Sequence, residues 1–144
     1  MILNLRVDHK IADIQSMEVI SKDIDELFAE LQEKYSIGEY IEISTCNRKE
    51  IYIHNENIPE DEELLSHENQ SIVIDYGQSA VMHLLRMTSG LESMIVGEDQ
   101  ILGQVKDAKH KAMKNHHCGK VLDLIFTKAI HVVQVVRNKT NINK

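Results

Sequence analysis

Short runs of alternating apolar and polar residues dominate the first half of the chain, and helical spacing takes over in the second. Tyr40-Ile41-Glu42-Ile43-Ser44 and Ile51-Tyr52-Ile53-His54 each alternate as half-buried strands do, and the polar turn between them makes a hairpin. Met1-Ile2-Leu3-Asn4-Leu5-Arg6-Val7 reads as a first strand, and Ser71-Ile72-Val73-Ile74-Asp75-Tyr76 as a fourth, closed by Gly77. After the first strand, Asp8 to Gln15 is polar and turns into a short helix. Ile24, Leu27, Phe28, Leu31 and Tyr35 then form a helical stripe, with Ser21 or Asp23 able to cap its start and Gly38 just past its end. Asn55 to Gln70 carries six acidic residues and the only proline, Pro59, and reads as a loop with one helical turn around Leu64-Leu65.

From Gln78 onward the periodicity is helical. Val81, Leu84, Leu85 and Thr88 form one stripe; Ile101, Val105, Ala108 and Ala112 form another. Between Val121 and Val136 eleven of sixteen residues are apolar. They cover more than one helical face, which predicts burial on several sides and contact with something beyond this chain. The predicted fold class is α+β: a ferredoxin-like split βαβ antiparallel sheet of about four strands, then a helical subdomain ending in a long helix. The boundary divides a sheet subdomain, residues 1–77, from a helical one, residues 78–144.

Length and composition narrow the setting. At 144 residues the chain fits one domain, or two small subdomains sharing a core, and buries roughly 68–70% of its unfolded surface without a disulfide staple. Its two cysteines, Cys46 and Cys118, lie 72 positions apart with no framework spacing, which points to a reducing, cytoplasmic setting. No apolar run reaches signal-peptide or membrane-span length, so no membrane partner is expected. The formal charge is −7 and no lysine- or arginine-rich tract occurs; by itself that argues against a nucleic-acid-binding domain.

The hairpin turn changes this picture. In Ser44-Thr45-Cys46-Asn47-Arg48-Lys49-Glu50-Ile51-Tyr52 a thiol is bracketed by polar residues, and a cation beside it favours the thiolate that attacks carbonyls. A free cysteine is more often a small buried hydrophobe, but polar neighbours on both sides do not suit a core position. His83 sits on a helix roughly opposite the apolar stripe, as a solvent-facing imidazole able to act as acid, base or orienting group. Gln100 and Gln104 are one turn apart on a helix face. Strand packing accounts for Glu50 and Tyr52. His116-His117-Cys118 has metal-ligand residue types, but adjacent ligands do not readily chelate one ion, and no zinc site is expected.

Two stretches, Ser44 to Tyr52 and Thr88-Ser89-Gly90-Leu91-Glu92-Ser93-Met94-Ile95-Val96-Gly97-Glu98-Asp99-Gln100-Ile101-Leu102-Gly103-Gln104, resemble the two strongly marked motifs of glutamyl-tRNA reductases, in order and at a plausible separation. The resemblance implies that Cys46 attacks the ester joining glutamate to the tRNA. The resulting thioester is reduced with NADPH to glutamate-1-semialdehyde, opening tetrapyrrole biosynthesis. It implies that Thr45, Asn47 and Arg48 bind the glutamyl group, with Arg48 gripping its carboxylate. His83 falls on a histidine important for activity. Ser93, Glu98, Asp99, Gln100 and Gln104 fall on substrate-recognition positions, Asp99 standing where many members have proline. In the amino-terminal block only His9, Lys10 and Ala12 match, Asp8, Ile11 and Asp13 replacing the family's asparagine, threonine and proline.

No Gly-x-Gly-x-x-Gly follows a strand, so the NADPH-binding and dimerisation domains of the family are expected outside this chain. What remains is a catalytic module that forms the thioester or hydrolyses the ester but does not reduce it. Glutamyl-tRNA is the implied substrate; a homodimer and contact with glutamate-1-semialdehyde aminomutase are implied for the full-length protein. Two other classes stay open: a noncatalytic interaction module, or an unrelated cysteine hydrolase using Cys46 and His83.

Overall fold

In the computed structural model, residues 1–9, 12–59, 71–91 and 100–140 are described. The elements in chain order are β1 (Ile2–Asp8), α1 (Ile14–Tyr35), β2 (Glu39–Ser44), β3 (Arg48–His54), β4 (Val73–Tyr76), α2 (Gln78–Thr88), α3 (Gln100–Lys114) and α4 (Lys120–Thr140). The four strands form one antiparallel sheet in the order β2-β3-β1-β4. Inserting β3 between β1 and β2 is the split βαβ arrangement expected from the sequence. Most of the stretch expected as an acidic loop, residues 60–70, lies outside the described residues.

Helix α1 begins well before the predicted start. Met17, Ile20, Ile24, Leu27 and Leu31 recur at i, i+3, i+7, i+10 and i+14 and are all buried, so one apolar face runs through the whole helix. Asp13, not Ser21 or Asp23, is the N-cap: its carboxylate accepts from the Ser16 N–H at 2.8 Å. The helix closes on Ser36, left-handed at φ 53°, whose N–H donates to the Gln32 carbonyl; Gly38 is not the cap.

The sheet is covered on both faces. Leu3, Leu5, Val7, Ile51 and Ile53 pack beneath α1 with Ile20, Ile24, Leu27 and Leu31. Each such side chain, fully buried, contributes roughly 1.5–3 kcal/mol. On the other face Ile41, Ile43 and Tyr52 meet Leu84 and Met87 of α2, Ile101 and Val105 of α3, and Leu122 and Phe126 of α4. Tyr52 and Phe126 are in edge contact, centroids 5.2 Å apart. The cross-strand pairs Asn4↔Tyr52, Arg6↔Glu50 and Asp8↔Arg48 put a row of polar residues on this second face as well, because strand side chains alternate.

Helix α4 turns Leu122, Phe126, Ala129 and Val133 inward, while Leu124, Val132, Val135 and Val136 are exposed. Its start is capped from a distance. The Glu39 carboxylate accepts from the Leu122 N–H at 2.6 Å and pairs with His54 at 2.9 Å. A side chain at Gly119 would meet that carboxyl at 2.5–2.9 Å, so the glycine makes room for the cap.

Candidate active site: an exposed thiol before a buried carboxylate

The β2–β3 connection, residues 45–47, is short and held at several points. The Thr45 N–H donates to the Arg48 carbonyl at 2.9 Å and the His9 N–H to the Asn47 carbonyl at 3.0 Å. The Thr45 hydroxyl accepts from the Asn47 N–H at 3.2 Å. These bonds fix the loop from within and from the end of β1. Cys46, at its tip, is free and exposed, as its polar neighbours led us to expect.

The thiol opens on a cleft of about 550 Å³ between β2 and α3. Tyr40, Glu42 and Ser44 belong to one wall, and Gln104, Asp107 and Lys111 to the other. His117 closes one end, stacked on Tyr40 with centroids 4.0 Å apart and bonded through Nδ1 to the Tyr40 carbonyl at 2.7 Å. An acyl group entering here meets the sulfur from the strand side. On the helix side it meets a carboxamide that both donates and accepts, and an ammonium that suits a carboxylate. Of the glutamines, Gln104 lines the cleft; Gln100 is exposed at the start of α3.

Behind the loop, residues of alternate register turn inward. Glu50 is fully buried and its carboxylate is the hub of a polar cluster. Oε2 accepts from Arg48 Nη1 at 2.7 Å. Oε1 accepts from the Tyr52 hydroxyl at 3.0 Å and from Asn4 Nδ2 at 3.3 Å. Nε2 of His83, on α2, lies 3.0 Å from both oxygens. Burial alone would push the carboxyl up; the hydrogen bond and charge of His83, then those of Arg48, outweigh it and hold the group at about 2. The Tyr52 phenol is driven well above its usual range, first by burial and then by the Glu50 charge. A carboxylate so satisfied is a fixed negative charge that locks the rotamers around it.

Three sequence expectations change here. His83 is not solvent-facing: it is 1% exposed, because the inward face of α2 carries Ala80, His83, Leu84, Met87 and Thr88 rather than the stripe through Val81 and Leu85. Glu50 is not ordinary strand packing but the partner of that imidazole. The available signal was a cation two residues before an acid on one strand face, opposite the polar positions Arg6 and Asp8 of β1. Arg48, expected beside the thiol, is itself buried, with its Nη1 directed to Glu50. Lys111, which also lines the cleft, went unmarked in the sequence, and His117 was weighed there only as a metal-ligand residue type. Ser93, Glu98 and Asp99 lie outside the described residues, as does Lys10. Among the described residues no cluster of three His, Cys, Asp or Glu side chains could hold a metal ion.

Comparisons with known proteins point to one family. The family model described as "Glutamyl-tRNAGlu reductase, N-terminal domain" matches residues 5–140. Over the whole chain there is 76% identity to the glutamyl-tRNA reductase of Methanobrevibacter smithii, of which the match covers 36%. There is 45% identity to that of Methanothermobacter marburgensis, of which it covers 35%. The chain thus spans about a third of the length of these relatives. Among solved structures, glutamyl-tRNA reductase from Methanopyrus kandleri superposes with a TM-score of 0.78 at 30% identity, over 96% of this chain and 34% of that one.

Proposed function

Because the chain belongs to the glutamyl-tRNAGlu reductase N-terminal domain family, we propose that it takes the glutamyl group of glutamyl-tRNA onto Cys46 as a thioester. The observation that carries this reading is an exposed thiol at the tip of a pinned hairpin, facing a cleft whose opposite wall supplies Gln104 and Lys111. The sulfur attacks the ester carbonyl carbon; a C–S bond forms, the C–O bond to the ribose breaks, and the ribose oxygen leaves with the proton the thiol gave up. The thioester keeps the carbonyl electrophilic. Gln104 and Lys111 hold the glutamate, with the backbone-anchored Thr45 and Asn47 shaping the approach to the sulfur. Ser93, Glu98, Asp99 and Gln100 take part in substrate recognition in this proposal.

Arg48 and His83 act from behind the loop. Arg48 ties the first residue of β3 to Glu50, and with it the base of the cysteine loop. His83 presents Nε2 to Glu50, so any proton it exchanges with the reacting groups passes through Nδ1. The division near Gly77 is then functional: the strand half carries the sulfur, and the helical half supplies Gln104, Lys111 and His83.

The described residues do not fit a nicotinamide dinucleotide. Gly77, between β4 and α2, is followed by Gln78-Ser79-Ala80, without the further glycines that admit a pyrophosphate. The reaction of this chain therefore stops at the acyl-enzyme. In the whole protein, reduction by NADPH to glutamate-1-semialdehyde falls to other residues, as do dimer formation and delivery of the aldehyde to its aminomutase.

The test is a single-turnover mixture of the chain with glutamyl-tRNA, quenched in acid and analysed by intact mass. A glutamyl adduct on Cys46 is expected, with free tRNA released in step and both lost in Cys46→Ser. Release of tRNA without an adduct in either protein, or faster cleavage of unrelated esters than of glutamyl-tRNA, refutes the proposal.

A further inference from the structure

Charge is distributed unevenly along this acidic chain. Of its 16 lysines and arginines, nine lie between Gln100 and Lys144, where only two of the 23 acidic residues occur, Asp107 and Asp123. The first 99 residues are therefore strongly acidic and the α3–α4 unit strongly basic. On α3, successive residues are rotated by about 100°, so Lys111, Lys114, His110 and Lys106 lie around the exposed side in steps of about 40–60°, with Asp107 the one acid among them. All four are exposed. Lys111 stands at the Cys46 cleft. Lys106 and His110 stand on the far side, in a groove of about 390 Å³ between α3 and α4 that Lys109 and His131 also line. Lys109 is partly neutralised by Asp123 at 3.0 Å.

A charged helix face is ordinarily just a solvated one. This one differs in being continuous with the thiol cleft and opposite in sign to the rest of the chain. A polyanion is repelled by the strand half and drawn onto α3, which fixes the direction from which its end reaches the sulfur. We infer that the exposed side of α3 and the α3–α4 groove hold the phosphate backbone of the RNA whose aminoacylated end enters the Cys46 cleft. This rests on the function proposed above. It also revises the reading, drawn from net charge and the lack of a basic tract, that argued against a nucleic-acid-binding domain: the helix spacing, not the sequence run, gathers the cations.

The experiment measures tRNA binding by the intact protein across salt concentrations, for the wild type, Lys106→Ala/Lys114→Ala and Lys106→Arg/Lys114→Arg. Neither lysine lines the thiol cleft. Each phosphate contact contributes about 0.7–0.9 to the slope of log affinity against log salt. Between about 50 and 200 mM salt the wild type should therefore lose roughly tenfold more affinity than the alanine variant. The arginine variant should keep the wild-type slope, and acylation of Cys46 by a small glutamyl thioester should be equal in all three.

An unchanged slope in the alanine variant, or arginine and alanine variants equally impaired, overturns the assignment. So does protection of Lys106 and Lys114 from acylating reagents when no RNA is present, or preference of the surface for phosphatidylserine vesicles over tRNA. If tRNA binds with the expected slopes but Cys46 is never acylated by glutamyl-tRNA, the thioester proposal fails and the RNA surface stands. If acylation is normal and the slopes do not respond, the surface fails and the thioester proposal stands.

Discussion

Replacing Glu50 by glutamine tests the buried cluster directly. The amide keeps the shape of the carboxyl group but removes the charge that Arg48 and His83 face at 2.7 and 3.0 Å. A carboxyl held at about 2 rather than 4.5 corresponds to about 3 kcal/mol of folding stability at neutral pH. Breaking a buried ion pair by removing one partner costs about 3–5 kcal/mol by analogy with other proteins. The two routes agree, and Glu50→Gln should lose about that much in urea unfolding at pH 7. The sign of the pH dependence follows from the depressed carboxyl. Its contribution is fully present above 4.5 and is lost as pH falls from there toward about 2. The gap between wild type and variant should therefore be widest at pH 7 and much reduced at pH 3. Comparing the two proteins cancels the other groups that titrate in acid. A gap below about 1 kcal/mol at pH 7, or one undiminished at pH 3, would show that the carboxylate does not organise the cluster.

Two further substitutions probe how the helices are fixed to the sheet. Phe126→Ala removes the ring that meets Tyr52 edge-on and should destabilise the fold by about 3–5 kcal/mol in chemical denaturation; a loss under about 1 kcal/mol would mean that α4 is not anchored there. Gly119→Ala places a methyl group against the Glu39 carboxyl and should cost about 0.5–2 kcal/mol through loss of the Leu122 cap. Added to Glu39→Ala it should cost almost nothing more, and full additivity in thermal melts would refute the steric account.

The two-sided sheet bears on how the site works. Cys46 is exposed at the tip of its loop, yet the strand that continues from it carries Arg48 and Glu50 into an interior braced by His83 from α2. A loop that reacts with an external molecule must hold its sulfur in place without a core beneath it. Here ion pairs and hydrogen bonds under the first turn of β3 take the place of that core.

The sequence by itself determined the strands, their hairpin and the thiol at its tip. Alternating apolar residues, a four-strand count and polar neighbours around Cys46 are local features, and local backbone preference is enough to realise them. It also placed Gln104 on a helix. What only the tertiary structure decided was the destination of the polar faces. Alternation in β1 and β3 separated a polar face from an apolar one, but only packing showed that Asn4, Asp8 and Glu50 are buried, with Glu50 paired to His83 of α2 and Arg6 to Asp75 of β4. Periodicity distinguishes the two faces of a strand but not whether a second layer lies on the polar one. For the same reason His83, polar among apolar neighbours, read as outward-facing until a buried carboxylate 33 residues earlier in the chain supplied its partner. The start of α1 at Asp13 was missed because polar residues interrupt its stripe, although sheet burial reaches back to Met17. Partners distant in sequence, brought together by packing, decide which polar groups can be buried, and no local pattern encodes them.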